Sequence, residues 1–355
     1  MNAKTSTRKR KEDHINIAIT NDVQYKKSAG FEEIMLVHNA LPELDFNKIK
    51  LETKFLGKNL HAPIIIEAMT GGYPKSKKIN LALAEAAEKA GIAFGLGSQR
   101  AMIENPSLAE TYKVRKIAPT IPIIANIGAC QLKKYSEKYS EKYSKRYFFE
   151  KIEKLILDVD ANALAVHLNP LQEIIQPEGD KDFSGIVDAI KNTCEKLSVP
   201  VIVKETGAGI GSEIAKKLKE AGVKYIDIAG AGGTSWSAIE YERNGAVPGV
   251  PGFADWGIPT VVCIIANRGI LSLIASGGLR SGIDAAKAIA LGAEMAGAAW
   301  PFLRAYKEQR LENEIAIWKN QLKACMFLTG SANIASLKKT KVFISSSLSK
   351  MAKII

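Results

Sequence analysis

From about residue 60 the chain keeps a regular rhythm. An apolar run is followed by a glycine-rich or polar turn, and then by apolar positions at helical spacing. Residues 63–68 read as a buried strand, and residues 77–90 as a helix closed by Gly91. Further strands are predicted at 93–97, 121–127, 163–168, 199–204, 225–229, 271–275 and 295–299. Helices are predicted at 107–117, 183–197, 212–221 and 282–291. Eight strands alternating with helices argue for a parallel sheet, and eight is a number that closes a barrel. A doubly wound sheet often carries G-x-G-x-x-G after its first strand, and the Met69-Thr70-Gly71-Gly72 turn lacks that spacing. The expected fold is a single α/β domain over residues 1–355, a TIM (β/α)8 barrel. Residues 1–60 form an N-terminal arm and lead-in, 61–300 the barrel, and 301–355 a C-terminal helix and basic tail.

Composition narrows the class. Hydrophobic residues make up 46% of 355, enough for a sizeable core. No apolar run is long enough to cross a bilayer, and the basic start of the chain has no apolar h-region. Cys130, Cys194, Cys263 and Cys325 form no C-x-x-C pair, so neither a zinc site nor a disulfide framework is expected. A cytoplasmic protein without a membrane partner follows. The formal charge of +12 is concentrated in residues 1–11, 133–154 and 338–353, and the remainder is slightly acidic. A basic nucleic-acid surface on the body is therefore not expected. Residues 133–146 repeat Lys-Tyr-Ser-Glu without an apolar face and read as an exposed insertion.

In such a barrel, chemistry collects at the C-terminal ends of the strands. Ser276-Gly277-Gly278-Leu279-Arg280 follows strand seven and precedes a helix, which suits a phosphate: glycines let backbone N–H groups approach, and the helix N-terminus adds positive charge. Lys204 ends strand five as a Schiff-base nucleophile, a phosphate ligand, a flavin partner, or a salt-bridge partner of Glu205 or Asp227. His167, Asn169, Gln172 and Glu173 cluster after strand four, and Glu173 suits Mg²⁺ shared with a substrate phosphate. No Ser-His-Asp order, H-E-x-x-H or Walker loop is present.

Taken together, the motifs resemble the type 2 isopentenyl-diphosphate Δ-isomerases, the FMN-dependent class, from about residue 8 to about residue 330. The carriers are Arg10-Lys11 with His14, Met69-Thr70-Gly71-Gly72, Gly97-Ser98-Gln99-Arg100, and the run from His167 to Glu173. Gly232-Gly233-Thr234-Ser235-Trp236, Trp256-Gly257-Ile258-Pro259-Thr260 and Ser276-Gly277-Gly278-Leu279-Arg280 complete them. The resemblance implies FMN contacts from Ala68, Met69, Thr70, Gly71, Ser98, Asn126, Lys204, Thr234, Gly277, Gly278, Leu279, Arg280, Ala298 and Ala299. It implies substrate contacts from Arg10, Lys11, Ser98, Gln99, Arg100, His167, Asn169 and Gln172, with Gln172 and His167 catalytic and Glu173 on Mg²⁺. Ala229 stands where the family often has a serine, which removes one flavin contact.

The implied reaction converts isopentenyl diphosphate to dimethylallyl diphosphate by proton addition and elimination over reduced FMN. NADPH would serve only to reduce the flavin, and a homo-oligomer, tetramer or octamer, is implied. The basic arm would fold over the barrel mouth and exclude water from a carbocation-like centre. The alternative is another FMN-dependent barrel oxidoreductase acting on a phosphorylated or carboxylated small molecule. A 2-hydroxyacid oxidase needs a late-strand histidine, but no histidine follows His167; an IMP-dehydrogenase-like enzyme needs a loop cysteine after strand six, but Cys263 sits in an apolar helical run.

Overall fold

The computed structural model describes residues 3–134, 145–244 and 252–355. Eight parallel strands close into a barrel: β1 Ile64–Ile66, β2 Ala93–Gly95, β3 Ile123–Gly128, β4 Ala163–His167, β5 Val201–Lys204, β6 Tyr225–Asp227, β7 Ser272–Ala275 and β8 Met295–Ala298. Each pairs with the next in the chain, and Ala296 of β8 pairs with Ile64 of β1 to complete the ring. All eight lie within the runs read from the sequence, apart from Gly128, one residue beyond. Such strands are buried on both faces, which is why they appear as continuous apolar stretches.

Four of the predicted helices stand close to their expected places, at Pro74–Ala90, Ile186–Lys196, Ser212–Glu220 and Gly282–Ala290. Gly91 ends the first of them with φ 67, the left-handed conformation that favours glycine. The helix expected at 107–117 does not form. A short helix, Arg100–Glu104, is followed by a 3-10 turn, Pro106–Thr111. Asn105 caps that turn through its side chain, and Thr111 spends its hydroxyl and carbonyl on Gly72 N and Asn80 Nδ2, at 2.9 and 2.8 Å. Local 3-10 bonds remain, such as Tyr112 N to Ala109 O at 2.9 Å, while Thr111 is drawn onto tertiary partners. Of residues 133–146, read as an exposed insertion, 135–144 lie outside the described residues. Lys133 is not exposed but buried, its Nζ donating to Asp182 Oδ2 at 2.6 Å and Ser184 Oγ at 3.1 Å.

The segments flanking the barrel are ordered on it. The N-terminal helix Ala3–Thr20 packs on helices Trp236–Asn244 and Trp300–Lys307, with Trp300 Nε1 donating to Ala18 O at 3.1 Å. The hairpin Thr53–Phe55/Lys58–Leu60 sets Phe55 edge-on to Tyr225, the first residue of β6, with centroids 5.3 Å apart. At the other end of the chain, Val342–Ile344 pairs antiparallel with Ile34–Leu36, and helix Ser346–Ala352 buries Leu348 against the domain. The basic segment after residue 338 is thus folded onto the body, because Leu337 and Leu348 carry it into the core. No helix among the described residues is long and apolar enough to cross a membrane.

Candidate active site

A cavity of about 240 Å³ opens at the C-terminal ends of the strands, roofed by the N-terminal helix. Residues Arg10, Lys11, His14, Ile15 and Ala18 line it. Their spacing puts them on one stripe of that helix, so its inward face is part basic and part apolar. Of the residues implicated from sequence, Ala68, Met69, Thr70, Ser98, Arg100, Asn126, His167, Asn169, Gln172, Glu173, Lys204 and Thr234 line the same cavity. Gly277 to Arg280, Ala298 and Ala299 do so as well.

Two do not. Gln99 is fully buried beside the cavity. Its Oε1 accepts from Asn126 N at 2.9 Å and its Nε2 donates to Leu155 O at 3.3 Å, so it braces Asn126 instead of facing a ligand. Gly71 lies behind the cavity wall against Tyr112: a Cβ there would sit 2.0 Å from the Tyr112 ring.

At the mouth, Arg10, Lys11 and Arg100 form a cationic group. Burial, then Arg100, lowers the Arg10 pKa. Burial, with Arg10 and Arg100, lowers Lys11 to about 7 against the pull of Glu104. Cations that raise one another's energy in a partly buried site are suited to a multiply charged anion, which relieves the repulsion. Lys11 Nζ donates to Ser98 O and Tyr112 Oη, at 2.6 and 2.9 Å. Arg10 reaches Gln176 Oε1 at 3.3 Å.

Deeper in, His167 Nδ1 lies 2.8 Å from Asn126 Oδ1. Burial, with Lys204 and Lys11, lowers His167 to about 3, so the ring is neutral. With Nδ1–H donating to Asn126, Nε2 is left as an acceptor. At the barrel centre Lys204 Nζ lies 3.3 Å from Asp227 and 3.9 Å from Glu67, and donates to Glu205 O at 2.9 Å. Burial opposes the lysine charge, but the two carboxylates hold its pKa above the ordinary value. Burial and Asp227 push Glu67 well above the usual carboxylate range. The salt-bridge reading of Lys204 thus has Asp227 and Glu67 as partners, and only the backbone of Glu205.

Sequence reasoning missed Glu240. Fully buried on helix Trp236–Asn244, it accepts from Gln172 Nε2 and Gln176 Nε2 at 3.1 and 2.6 Å, and His14 Nε2 lies 2.8 Å away. Burial works against its charge, but His14 and Arg243 hold it near 2. It ties the N-terminal helix to the cluster after β4. The only signal for it was an acid one turn beyond Trp236, on a segment to which the sequence pattern assigned no element. Asn169 Nδ2 reaches Gln172 Oε1 and Glu173 Oε1, at 3.2 and 3.0 Å, and Glu173 Oε2 accepts from Asp180 N at 2.6 Å.

The loops after β6 and β7 meet backbone to backbone. A Cβ on Gly277 would fall 2.1 Å from Gly230 O, and one on Gly233 would fall 2.6 Å from Gly278 N. Gly277 and Gly278 have φ 92 and 77. Helices Gly282–Ala290 and Trp300–Lys307 both begin beside this wall, and the Arg280 guanidinium stacks 4.7 Å from the Trp300 ring centre. Bare backbone, the start of helix Trp300–Lys307 and an arginine could hold a phosphate group. At the start of helix Gly282–Ala290, Gly282 N already donates to Gln321 Oε1 at 2.8 Å and Asp284 N to Ser281 Oγ at 3.2 Å.

Comparison with known proteins agrees with the barrel fold. The chain matches the FMN-dependent dehydrogenase family over residues 3–173 and 169–344. It superposes on solved structures of mandelate oxidase, one with a monooxide FMN adduct, at a TM-score of 0.60 and 15% identity, covering 94% of this chain and 92% of that one. Another, with (S)-2-phenylpropionate, gives a TM-score of 0.61 at 15% identity, covering 96% and 98%. At that identity the likeness is one of fold. The isopentenyl-diphosphate delta-isomerase of Archaeoglobus fulgidus is 47% identical over 97% of each chain. That of Methanosarcina barkeri is 46% identical over 96% of this chain and 93% of its own. That of a Nostoc species is 45% identical over 94% of each. A flavin-dehydrogenase barrel whose sequence runs with these isomerases almost end to end places the chain in their family: it belongs to the isopentenyl-diphosphate delta-isomerases of the FMN-dependent type.

Proposed function

We propose that this chain converts isopentenyl diphosphate to dimethylallyl diphosphate at the mouth of the barrel, with reduced FMN, Mg²⁺ and NADPH. The observation that carries the reading is the grouping of Arg10, Lys11 and Arg100 above a cavity whose far wall suits a phosphate. One anion seat serves the substrate diphosphate, and the other serves the cofactor phosphate. The backbone of Gly277 to Arg280, with Ala298 and Ala299, would hold the FMN phosphate, and Lys204, held charged chiefly by Asp227, would face its ring. When bound, reduced FMN supplies an electron-rich surface and an acid–base atom for moving a proton on and off an alkene. NADPH enters only as the reductant for the flavin, because isomerisation transfers no net electrons.

The chain's own residues do the rest. Arg10, Lys11 and Arg100 neutralise the diphosphate, with Asn169 and neutral His167 as hydrogen-bonding partners. Glu173 is the cavity carboxylate beside them and suits Mg²⁺, which commonly takes one or two carboxylates and completes its shell with phosphate and water. Among the described residues no three His, Cys, Asp or Glu side chains gather as a metal cage, so such an ion would draw on the substrate. Ile15 and Ala18 of the roof, with Met69 and Leu303, line the cavity with apolar surface that excludes water from a cationic centre. Gln172, fixed between Asn169 and Glu240, is placed to orient or relay the second proton.

The test is direct. Protein loaded with FMN, Mg²⁺ and NADPH, without oxygen, is incubated with isopentenyl diphosphate and followed by proton NMR. Dimethylallyl diphosphate should appear, and omitting FMN or the reductant should stop it. No product from protein of verified flavin content and fold would reject the reading.

A further inference from the structure

The Gly71–Gly72 turn does not face the cavity, so the flavin does not explain it. It faces Tyr112 instead. A Cβ on Gly71 would sit 2.0 Å from Tyr112 Cε1, and one on Gly72 would sit 2.5 Å from Ala101 Cβ and 2.9 Å from Tyr112 Oη. Gly72 also has φ 86, where other residues are strained. The two glycines leave a slot that the Tyr112 ring fills, and Thr111 pins the slot by accepting from Gly72 N at 2.9 Å. Tyr112 is fully buried there.

Its hydroxyl is bonded on both sides. It donates to Ser98 O at 2.8 Å and accepts from Lys11 Nζ at 2.9 Å, while Lys11 also donates to Ser98 O at 2.6 Å. Burial raises the phenol pKa, which keeps the proton on the oxygen and the donor role intact. An ammonium has three N–H donors. Two are spent on Tyr112 and Ser98, and Lys11 lines the cavity. A lysine on a terminal helix would otherwise sample many rotamers.

We propose that Tyr112, seated in the Gly71–Gly72 slot, is a positioning residue that fixes the Lys11 ammonium through its hydroxyl and the Ser98 carbonyl, leaving one N–H for the substrate diphosphate. This rests on the reading of Lys11 as a diphosphate ligand. It gives the glycine pair a role in substrate binding: the turn holds the ring, the ring holds the lysine, and the lysine meets the anion. Arg10, Arg100 and Glu104 act on the same ammonium, but none of them restrains its position through this hydroxyl.

The experiment is a double-mutant cycle on flavin-loaded protein: parent, Tyr112→Phe, Lys11→Met and the pair. KM and kcat are measured with isopentenyl diphosphate, and Kd with inorganic diphosphate. Phenylalanine keeps the ring in its slot, so fold and flavin content should hold. Tyr112→Phe should raise KM and Kd roughly tenfold, the worth of one hydrogen bond to a charged group, with kcat within about twofold. In the Lys11→Met background it should add less than about twofold. If Lys11→Met raises KM but Tyr112→Phe does not, or the two effects simply add, Tyr112 does not act through Lys11 and the proposal fails. If Lys11→Met leaves KM and Kd unchanged, the reading of Lys11 as a ligand fails beneath it.

Discussion

His167 Nδ1 lies 2.8 Å from Asn126 Oδ1, and that contact fixes which ring nitrogen is left for a ligand. Asn126 is itself held by the buried Gln99, so a residue read as a substrate contact acts two steps behind the histidine. Burial, Lys204 and Lys11 lower His167 to about 3 from 6.5. The sign follows: the neutral ring stabilises the fold above pH 6.5, and that contribution is lost as pH falls from 6.5 toward 3. His167→Gln should therefore lose less stability than the parent between pH 7 and pH 4.5, by on the order of 1–3 kcal/mol. Urea unfolding at both values measures it, and equal losses would show that the histidine is not held neutral.

Lys11 gives a prediction for binding. Its pKa near 7 leaves it largely neutral at pH 8. A bound diphosphate favours the charged form, so the lysine's share of the net proton count, the difference between parent and Lys11→Arg, should be an uptake at pH 8 and almost nothing at pH 6. Calorimetry with inorganic diphosphate in buffers of different ionisation heat reads the uptake. Lys11→Arg keeps a permanent charge and should remove the lysine's share. The same uptake in both proteins would place the proton elsewhere.

The barrel was legible because parallel strands covered on both faces must be apolar throughout, as at Ile64–Ile66, and because glycines such as Gly91 mark the turns. The strand ends were legible because a barrel places them all on one rim. Glu240 was not, since beside Glu242 on the same helix it looks like another solvated acid until His14, Gln172 and Gln176 are brought to it by the tertiary fold. The pairing of Ile34–Leu36 with Val342–Ile344 joins opposite ends of the chain, and short strands with no local partner leave little pattern. At 107–117 the apolar spacing was compatible with a helix, but the tertiary bonds of Thr111 to Gly72 and Asn80 hold a 3-10 turn there instead.

Flavin retention should depend on Arg280. Gly278 is a poor place to test the phosphate seat, because a Cβ there would lie 2.6 Å from the Gly232 carbonyl at φ 77, so any side chain disturbs the loops themselves. Arg280→Gln leaves the backbone alone and removes one of the two cations over Trp300, Arg304 being the other. FMN affinity should fall roughly tenfold or more, read as flavin absorbance per chain after desalting. Full retention would remove Arg280 from the cofactor site.

Glu173→Gln should raise the Mg²⁺ concentration for half-maximal activity by roughly tenfold, with flavin content unchanged. The carboxylate also accepts from Asp180 N, so the amide will loosen that loop at a cost of about 1–3 kcal/mol. Comparing Mg²⁺ titrations with thermal melts separates the two effects. Superimposable Mg²⁺ curves for variant and parent would take Glu173 out of the metal site.

Gln172 should act on turnover more than on binding. Its amide is held at both ends, Oε1 by Asn169 Nδ2 at 3.2 Å and Nε2 on Glu240 Oε1 at 3.1 Å, so its orientation is set before substrate arrives. An amide is a poor base alone, but a fixed one can orient or relay a proton without adding a buried negative charge. Gln172→Asn shortens the reach by one methylene and should lower kcat roughly 100-fold, about 2.7 kcal/mol, with a smaller change in KM. Gln172→Glu is the sharper variant, because it sets a new carboxyl against Glu240, which His14 and Arg243 already hold ionised near 2. Two such groups in contact cannot both ionise cheaply, so the new one should keep its proton well above the usual carboxylate range. Its neutral form donates to Glu240 much as the native amide does. The variant should therefore be weakest at alkaline pH and recover kcat as pH falls toward 6, while the parent shows no such rise. A kcat that stays parental in both variants, with only KM altered, would leave Gln172 a binding residue and assign the second proton to another group at the mouth.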